Sequence, residues 1–314
     1  MSNSYIAIVG GANMDIQGFP YEKFIPRDSN PGKIKVSLGG VGRNIGENLV
    51  KLGIETRLLS VIGDDPYGYA ILKEAKLIGL DMRDTLVLKG ESTSTYLSIL
   101  DESGDMAAAI SYMDICENMS VDFIKEKRNV IEDSKLCVID TNIPREVIEY
   151  IVTTYQGTDF FLDTVSTAKA KKVKEVIGYF HTIKPNKIEA QMLTGIEIKD
   201  DDDLKRASEY FLAKGVRRVF ISLGDNGIFY NDGSSIAHIQ VPKIRVINAT
   251  GAGDAFMAAL AYGHYYNLSI KESANMAVAA SILALSHEDT INPDISVQSI
   301  KSKMKEINLC WKDI

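Results

Sequence analysis

The stretch NATGAGDAFMAALAYG, residues 248–263, sets two glycines and an aspartate directly before an apolar run. Glycine reaches positive φ and lets backbone come close to a ligand, and the residues that follow commit the chain to a helix. The amides of Ala252, Gly253 and Asp254 can then point outward together. Helped by the helix dipole, they can hold the negative charge of a phosphoryl group in transit. Asp254 lies beside that charge and can accept a proton from a hydroxyl nucleophile. A plain glycine turn capped by an aspartate is the other reading of this stretch.

Other stretches supply partners for such chemistry. LGGVGRNIGENLVKLG (38–53) also opens a helix, with Gly39 and Gly40 leaving backbone exposed and Asn44 in the first turn. GGANMDIQGF places Asp15 just beyond the first strand pattern, where open α/β sheets bind ligands. Asp15 can accept from two vicinal hydroxyls and Asn44 can donate and accept, which is a sugar-binding set. As bland alternatives, Asp15 is a turn residue and Asn44 a helix-start residue. KPNKIEA (184–190) offers Asn186 and Glu189 three apart, on one side of a helical turn. Such oxygen donors suit Mg²⁺, often through water, and equally a helix-start polar pair. SLGDNG (222–227) exposes backbone at Gly224 and Gly227, either against a nucleotide or as a hairpin turn. No Walker-type loop or dinucleotide fingerprint occurs, so an ATP site must be of another kind.

The elements that must position these residues alternate. YIAIVG, ETRLLSVIG, LCVID, DFFLD, HTIKPN and RRVFISLG read as short strands, with helical periodicity in NIGENLVKLG and YGYAILKEAKLIG. The pattern predicts right-handed crossovers and an α/β fold with a mostly parallel central sheet, helices covering both faces. The whole of 1–314 reads as one body. Residues 15–37 and 92–113 read as extended, DESGD being a hairpin turn, and together predict a small β-sheet lid or an ordinary sheet extension. The acidic run Asp200 to Asp203 reads as a solvated helix start, with Gly215 after the last turn. MAVAASILALS (276–286) reads as a buried helix, too short to cross a bilayer.

The 314 residues are 45% hydrophobic and 25% charged, a globular composition. A net charge of -7 argues against a protein that grips nucleic-acid polymers. Cys116, Cys137 and Cys310 lie far apart without metal or redox spacing, which predicts buried, inert thiols in a reduced cytoplasmic compartment. MSNSYIAIVGG lacks a signal-peptide pattern, so neither secretion nor membrane attachment is expected.

GGVGRNIGENLVKLG with the glycine of SVIGDDPYG, and NATGAGDAFMAAL, resemble the two signatures of the ribokinase-like (PfkB) carbohydrate kinases, and the resemblance covers essentially the whole chain. It implies a ribokinase-like fold with Asp254 as catalytic base, Gly251 to Gly253 as anion hole, and Asp15, Gly39, Gly40 and Asn44 around the substrate hydroxyls. Asn186 and Glu189 match its magnesium motif, while Ser222, Gly224, Gly227 and Asn275 fall where the family holds ATP. Asn248 stands where many relatives carry an aspartate that helps bind potassium, which makes a monovalent-cation requirement doubtful. Within the family, SNPGKIKVSLGGVGRNI, STSTYLSILD, TIKPNKIEA, NATGAGDA and SHEDTINPD are similar to bacterial pseudouridine kinases. That likeness implies transfer from ATP to the 5'-hydroxyl of a C-linked nucleoside. Thr95, Tyr96, Asn142, Asp163 and Lys169 are candidates to reach the base. Other sugar or nucleoside kinases of ribokinase or fructokinase type share the same core residues, and a non-catalytic ligand-binding regulator needs no base. An exposed lid edge makes a homodimer through the lid reasonable.

Overall fold

Apolar runs bounded by polar or glycine residues become the strands of a nine-stranded sheet. Its order is Cys310–Asp313, Ile236–Gln240, Ile228–Asn231, Arg218–Ser222, Thr182–Ile183, Phe160–Asp163, Leu136–Asp140, Ile6–Val9, Thr56–Leu59. Neighbours from Arg218–Ser222 to Thr56–Leu59 pair parallel, and the remaining edge is antiparallel. This computed structural model describes residues 4–102, 106–307 and 309–313, so the DESGD turn lies largely outside the described residues.

Both faces are covered because side chains alternate along each strand. Ile6, Ile8, Val138 and Phe161 pack with helices Ala252–Tyr265 and Ile270–Leu285. Ala7, Val9, Ile139 and Leu162 enter a second core with Arg145–Thr154, Lys187–Thr194 and Asp201–Lys214. Each such fully buried Val, Ile, Leu or Phe side chain contributes about 1.5–3 kcal/mol.

A separate four-stranded sheet, ordered Gly32–Gly39, Asn13–Pro20, Thr95–Leu100, Met106–Tyr112, carries the segments read as extended. The run ETRLLSVIG divides at Ser60: Thr56–Leu59 stays in the central sheet, while Val61–Gly63 pairs with Leu86–Leu88 in a two-stranded sheet. The acidic run does start a helix, Asp200 accepting from the Asp203 amide at 3.0 Å. It is not simply solvated, however. Asp203 is buried and paired with Arg206, and Asp201 takes His238 Nδ1 at 2.8 Å and Lys312. Cys116 and Cys137 are buried, as read, but Cys310 is exposed. Among the described residues no helix is long and apolar enough to cross a membrane.

Candidate active site

Gly251, φ 84°, is the left-handed N-cap of helix Ala252–Tyr265. A side chain there would place Cβ 2.0 Å from the Thr290 carbonyl oxygen. The amides of Ala252, Gly253 and Asp254 fall in the first turn, where no helical carbonyl can reach them. Ala252 and Gly253 border a cleft of about 680 Å³, lined also by Lys184, Ser222, Gly224 and Gly227 among others.

Asp254 is buried in that first turn and accepts a hydrogen bond from Asn44 Nδ2 at 2.9 Å. Burial pushes its pKa up to about 7, the Asp163 and Asp140 charges adding to the rise while Asn44 and Lys184 oppose it. A carboxyl group titrating near neutrality is matched to general-base work. Lys184 Nζ faces Asp163 Oδ2 at 3.2 Å, an ion pair without hydrogen-bond alignment. Burial alone would depress this ammonium, but the carboxylates of Asp163, Asp254 and Glu189 outweigh it and hold the pKa above the usual lysine value.

The opposite side of Asp254 is polar. Asn44 also accepts from the buried Arg43 guanidinium, which is tied to Glu47. Asp15 accepts from Asn13 Nδ2, and its pKa is raised by burial against the pull of Asn13 and Arg43. Gly39 makes room for this carboxylate, since a Cβ there would lie 2.2 Å from Asp15 Oδ2. Gly40, φ 98°, caps the helix Val41–Lys51 hard against Ala12, whose Cα would be 2.5 Å from an added Cβ. Asp140, fully buried, accepts from the Gly11 and Asn142 amides at 2.8 Å each, and burial raises its pKa. Lys169 donates to Asn142 Oδ1.

The remaining candidates sort by their partners. Asn186 and Glu189 form a reciprocal capping box, each side chain accepting from the other's amide at 2.9 and 2.8 Å. Both hydrogen bonds to Glu189, from the Asn186 amide and the Thr164 hydroxyl, fall on Oε2. Oε1 therefore offers a hard oxygen to a hydrated Mg²⁺ ion, and the donor set fits one. Asp163 is committed to Lys184 and, through Oδ1, to the amide of Val165, which has φ 58°. Positive φ in a β-branched residue marks strain held at the end of this strand.

Tyr96 lies in register with Asp15 and shares its face, its hydroxyl bonded to Met106 Sδ at 3.3 Å. Thr95 pairs with Met14, so it stands on the other face, its hydroxyl turned to the Thr93 carbonyl. Ser222, Gly224 and Gly227 line the cleft. Asn275 does not line it; Val278, Ser281 and Ile282 of the same helix do. Turn 224–227 is pinned from behind by His238, whose Nε2 bonds the Asn226 carbonyl at 2.8 Å. Asn248 accepts from the Thr250 amide and donates to the Glu288 carbonyl, so its side chain closes the turn before Gly251. Sequence reading missed Asn13, Arg43, Thr164, Asp140 and Lys184. The last two sat inside quoted strand and motif stretches but carried no spacing signal of their own.

The chain matches the pfkB family carbohydrate kinase over residues 3–296. It is 39% identical to the pseudouridine kinase of Escherichia coli (strain K12) over 299 residues, covering 95% of this chain and 96% of that one. The crystal structure of a Clostridium perfringens protein assigned as a sugar kinase superposes with a TM-score of 0.90 at 41% identity, over 100% of this chain and 99% of that one. The ribokinase of Thermotoga maritima shares the fold, with a TM-score of 0.84 at 21% identity, covering 96% and 99%. The fold is thus ribokinase-like.

Proposed function

From the premise that the chain belongs to the pfkB family of carbohydrate kinases, and is therefore a phosphotransferase with a hydroxyl acceptor, we propose that it phosphorylates the 5'-hydroxyl of pseudouridine with ATP. The observation that carries the reading is Asp254: buried, its pKa pushed up to about 7, hydrogen-bonded to Asn44, and in the same helical first turn as Ala252 and Gly253, which line the cleft. In this reading the cleft takes ATP, and the amides of Ala252, Gly253 and Asp254 hold the transferred phosphoryl group. Asp254 removes the hydroxyl proton, with Asn44 orienting its carboxylate. Asp15, Asn13 and the backbone at Gly39 and Gly40 hold the ribose hydroxyls. The small sheet acts as the lid that excludes water. Most of the acceleration comes from positioning and electrostatics, as in other phosphoryl transfers. Mg²⁺, held through water by Glu189, neutralises phosphate charge when bound.

The likeness to the E. coli enzyme over nearly the full length supports pseudouridine as acceptor. Asn142, Lys169 and Tyr96, gathered around the ribose side, are the side chains assigned to the base. The test is ADP release by purified protein with ATP and Mg²⁺ across pseudouridine, uridine, adenosine, ribose and fructose. Turnover confined to pseudouridine is expected. A higher kcat/KM for another acceptor overturns the substrate but keeps the reaction, and no turnover with any overturns both.

The exposed apolar residues Ile34, Val36 and Ile110 of the small sheet support a lid-to-lid homodimer. Sedimentation velocity is expected to show a dimer in the parent and monomer in Ile110→Glu; a monomeric parent ends this assignment.

A further inference from the structure

The far end of the central sheet carries a second cluster. Asp159 immediately precedes strand Phe160–Asp163, His181 precedes Thr182–Ile183, and His264 lies late on helix Ala252–Tyr265. Each offers a ligand atom, and these atoms lie within 4.8 Å of one another. His264 Nε2 is 2.9 Å from Asp159 Oδ2, and the His181 and His264 rings are 4.5 Å apart. We propose that Asp159, His181 and His264 form a binding site for a late first-row divalent cation of the Zn²⁺ type.

Two imidazoles and one carboxylate select Zn²⁺ or its neighbours over Mg²⁺, which prefers an all-oxygen shell. Phe161 stacks on His181 and Thr182 Oγ1 holds its Nδ1 at 2.8 Å, so the ring is pre-oriented. A cavity of about 190 Å³, lined by Asp159, His181, Gly178, Gly215 and Arg217, gives an entry path and room for a water as fourth ligand. Arg217 opposes a cation, but it faces the other carboxylate oxygen, Oδ1, at 3.9 Å and is largely exposed, so its charge is screened. Zn–N bonds of about 2.0–2.1 Å require the ligand atoms to close by roughly an ångström.

The three ligands sit on the same elements that present Asp163, Lys184 and Asp254 at the other end. The ion therefore staples the elements that carry the reacting carboxyl group, without touching the cleft.

The test uses tag-free, chelator-stripped protein in a Cys310→Ser background, to remove the exposed thiol. Co²⁺ is titrated with visible d–d absorption as readout, followed by Zn²⁺ competition. One equivalent is expected, unaffected by excess Mg²⁺. His181→Gln and His264→Gln are each expected to weaken binding by more than the roughly 10–100-fold that loss of an outer partner costs. Zn²⁺ is expected to raise the Tm of the parent and not of the variants. Should a histidine variant misfold by circular dichroism, Asp159→Asn gives the same comparison. No saturable binding by the parent, or equal affinity in parent and variants, overturns the site.

Discussion

The two halves of the candidate site are built from opposite materials. On the side proposed for the acceptor, polar side chains are held in separate buried groups: Asn13 on Asp15, Arg43 on Asn44, and Asp140 on the amides of Gly11 and Asn142. On the side proposed for ATP, the cleft is bounded largely by glycines and apolar side chains, with Lys184 among its lining residues. Buried polar side chains discriminate, because a ligand lacking one hydroxyl leaves a buried group unpaired. A glycine-lined cleft discriminates by shape and backbone donors instead. Asp254 sits where the two meet, and Asn44 and Lys184, one from each half, act on the same carboxylate.

The sharpest way to break this division is at the junction. Asp254→Asn is expected to lower kcat about 10²–10⁴-fold with either half intact; parental turnover refutes the assignment. The same variant tests the electrostatics through stability. The folded pKa, about 7, lies above the ordinary carboxylate value of 3.8, so the carboxyl favours folding most below pH 4 and loses that contribution as pH rises through 7. Asp254→Asn should therefore raise the Tm at pH 8 relative to the parent, with the difference shrinking towards pH 4, as calorimetry across pH would show.

Separating the halves comes next. Asp15→Ala is expected to raise the acceptor KM roughly 10–100-fold, the worth of a hydrogen bond to a charged group, and to leave the ATP KM alone. Gly227→Ala should do the reverse, raising the ATP KM about 10-fold, because its Cβ would lie 2.0 Å from the Ile239 carbonyl oxygen and must displace the turn. If either variant moves both constants equally, the division into halves fails. The smallest effect is on the pH profile. kcat/KM should rise through a single limb near pH 7, and Asn44→Leu, which removes a bond favouring the ionised form, should move that limb to higher pH.

The sequence made the turns legible and the strand ends illegible. Gly251, Gly40 and Gly227 sit in glycine-rich turns where positive φ or close approach is needed, and Asp254 and Asn44 were found beside such turns, while Asp15 was found from its place just beyond the first strand. Asp140 and Lys184 each occupy the last position of an apolar run, where sequence shows only that a strand is ending. Their importance comes from parallel pairing that sets Asp140 beside Asp163 across strands. Asn186 and Glu189 were legible as a pair, but their spacing serves the capping box and an oxygen site equally. The central sheet was legible from the alternation of strand and helix patterns, while the small four-stranded sheet was one of two readings of its extended segments. The departure of Val61–Gly63 from the central sheet was not, since Ser60 carries no breaking signal.

The position of Ile6–Val9 inside the sheet has a cost during synthesis. One of its edges pairs with Thr56–Leu59, made early, but the other waits for Leu136–Asp140. At about 5–20 residues per second, the ribosome leaves that second edge without its partner for roughly 6–26 s. In that interval an apolar strand edge is open to pairing with other nascent chains. The same interior placement that later anchors the Gly10–Gly11 turn beside Asp140 thus exposes the first strand to aggregation during synthesis.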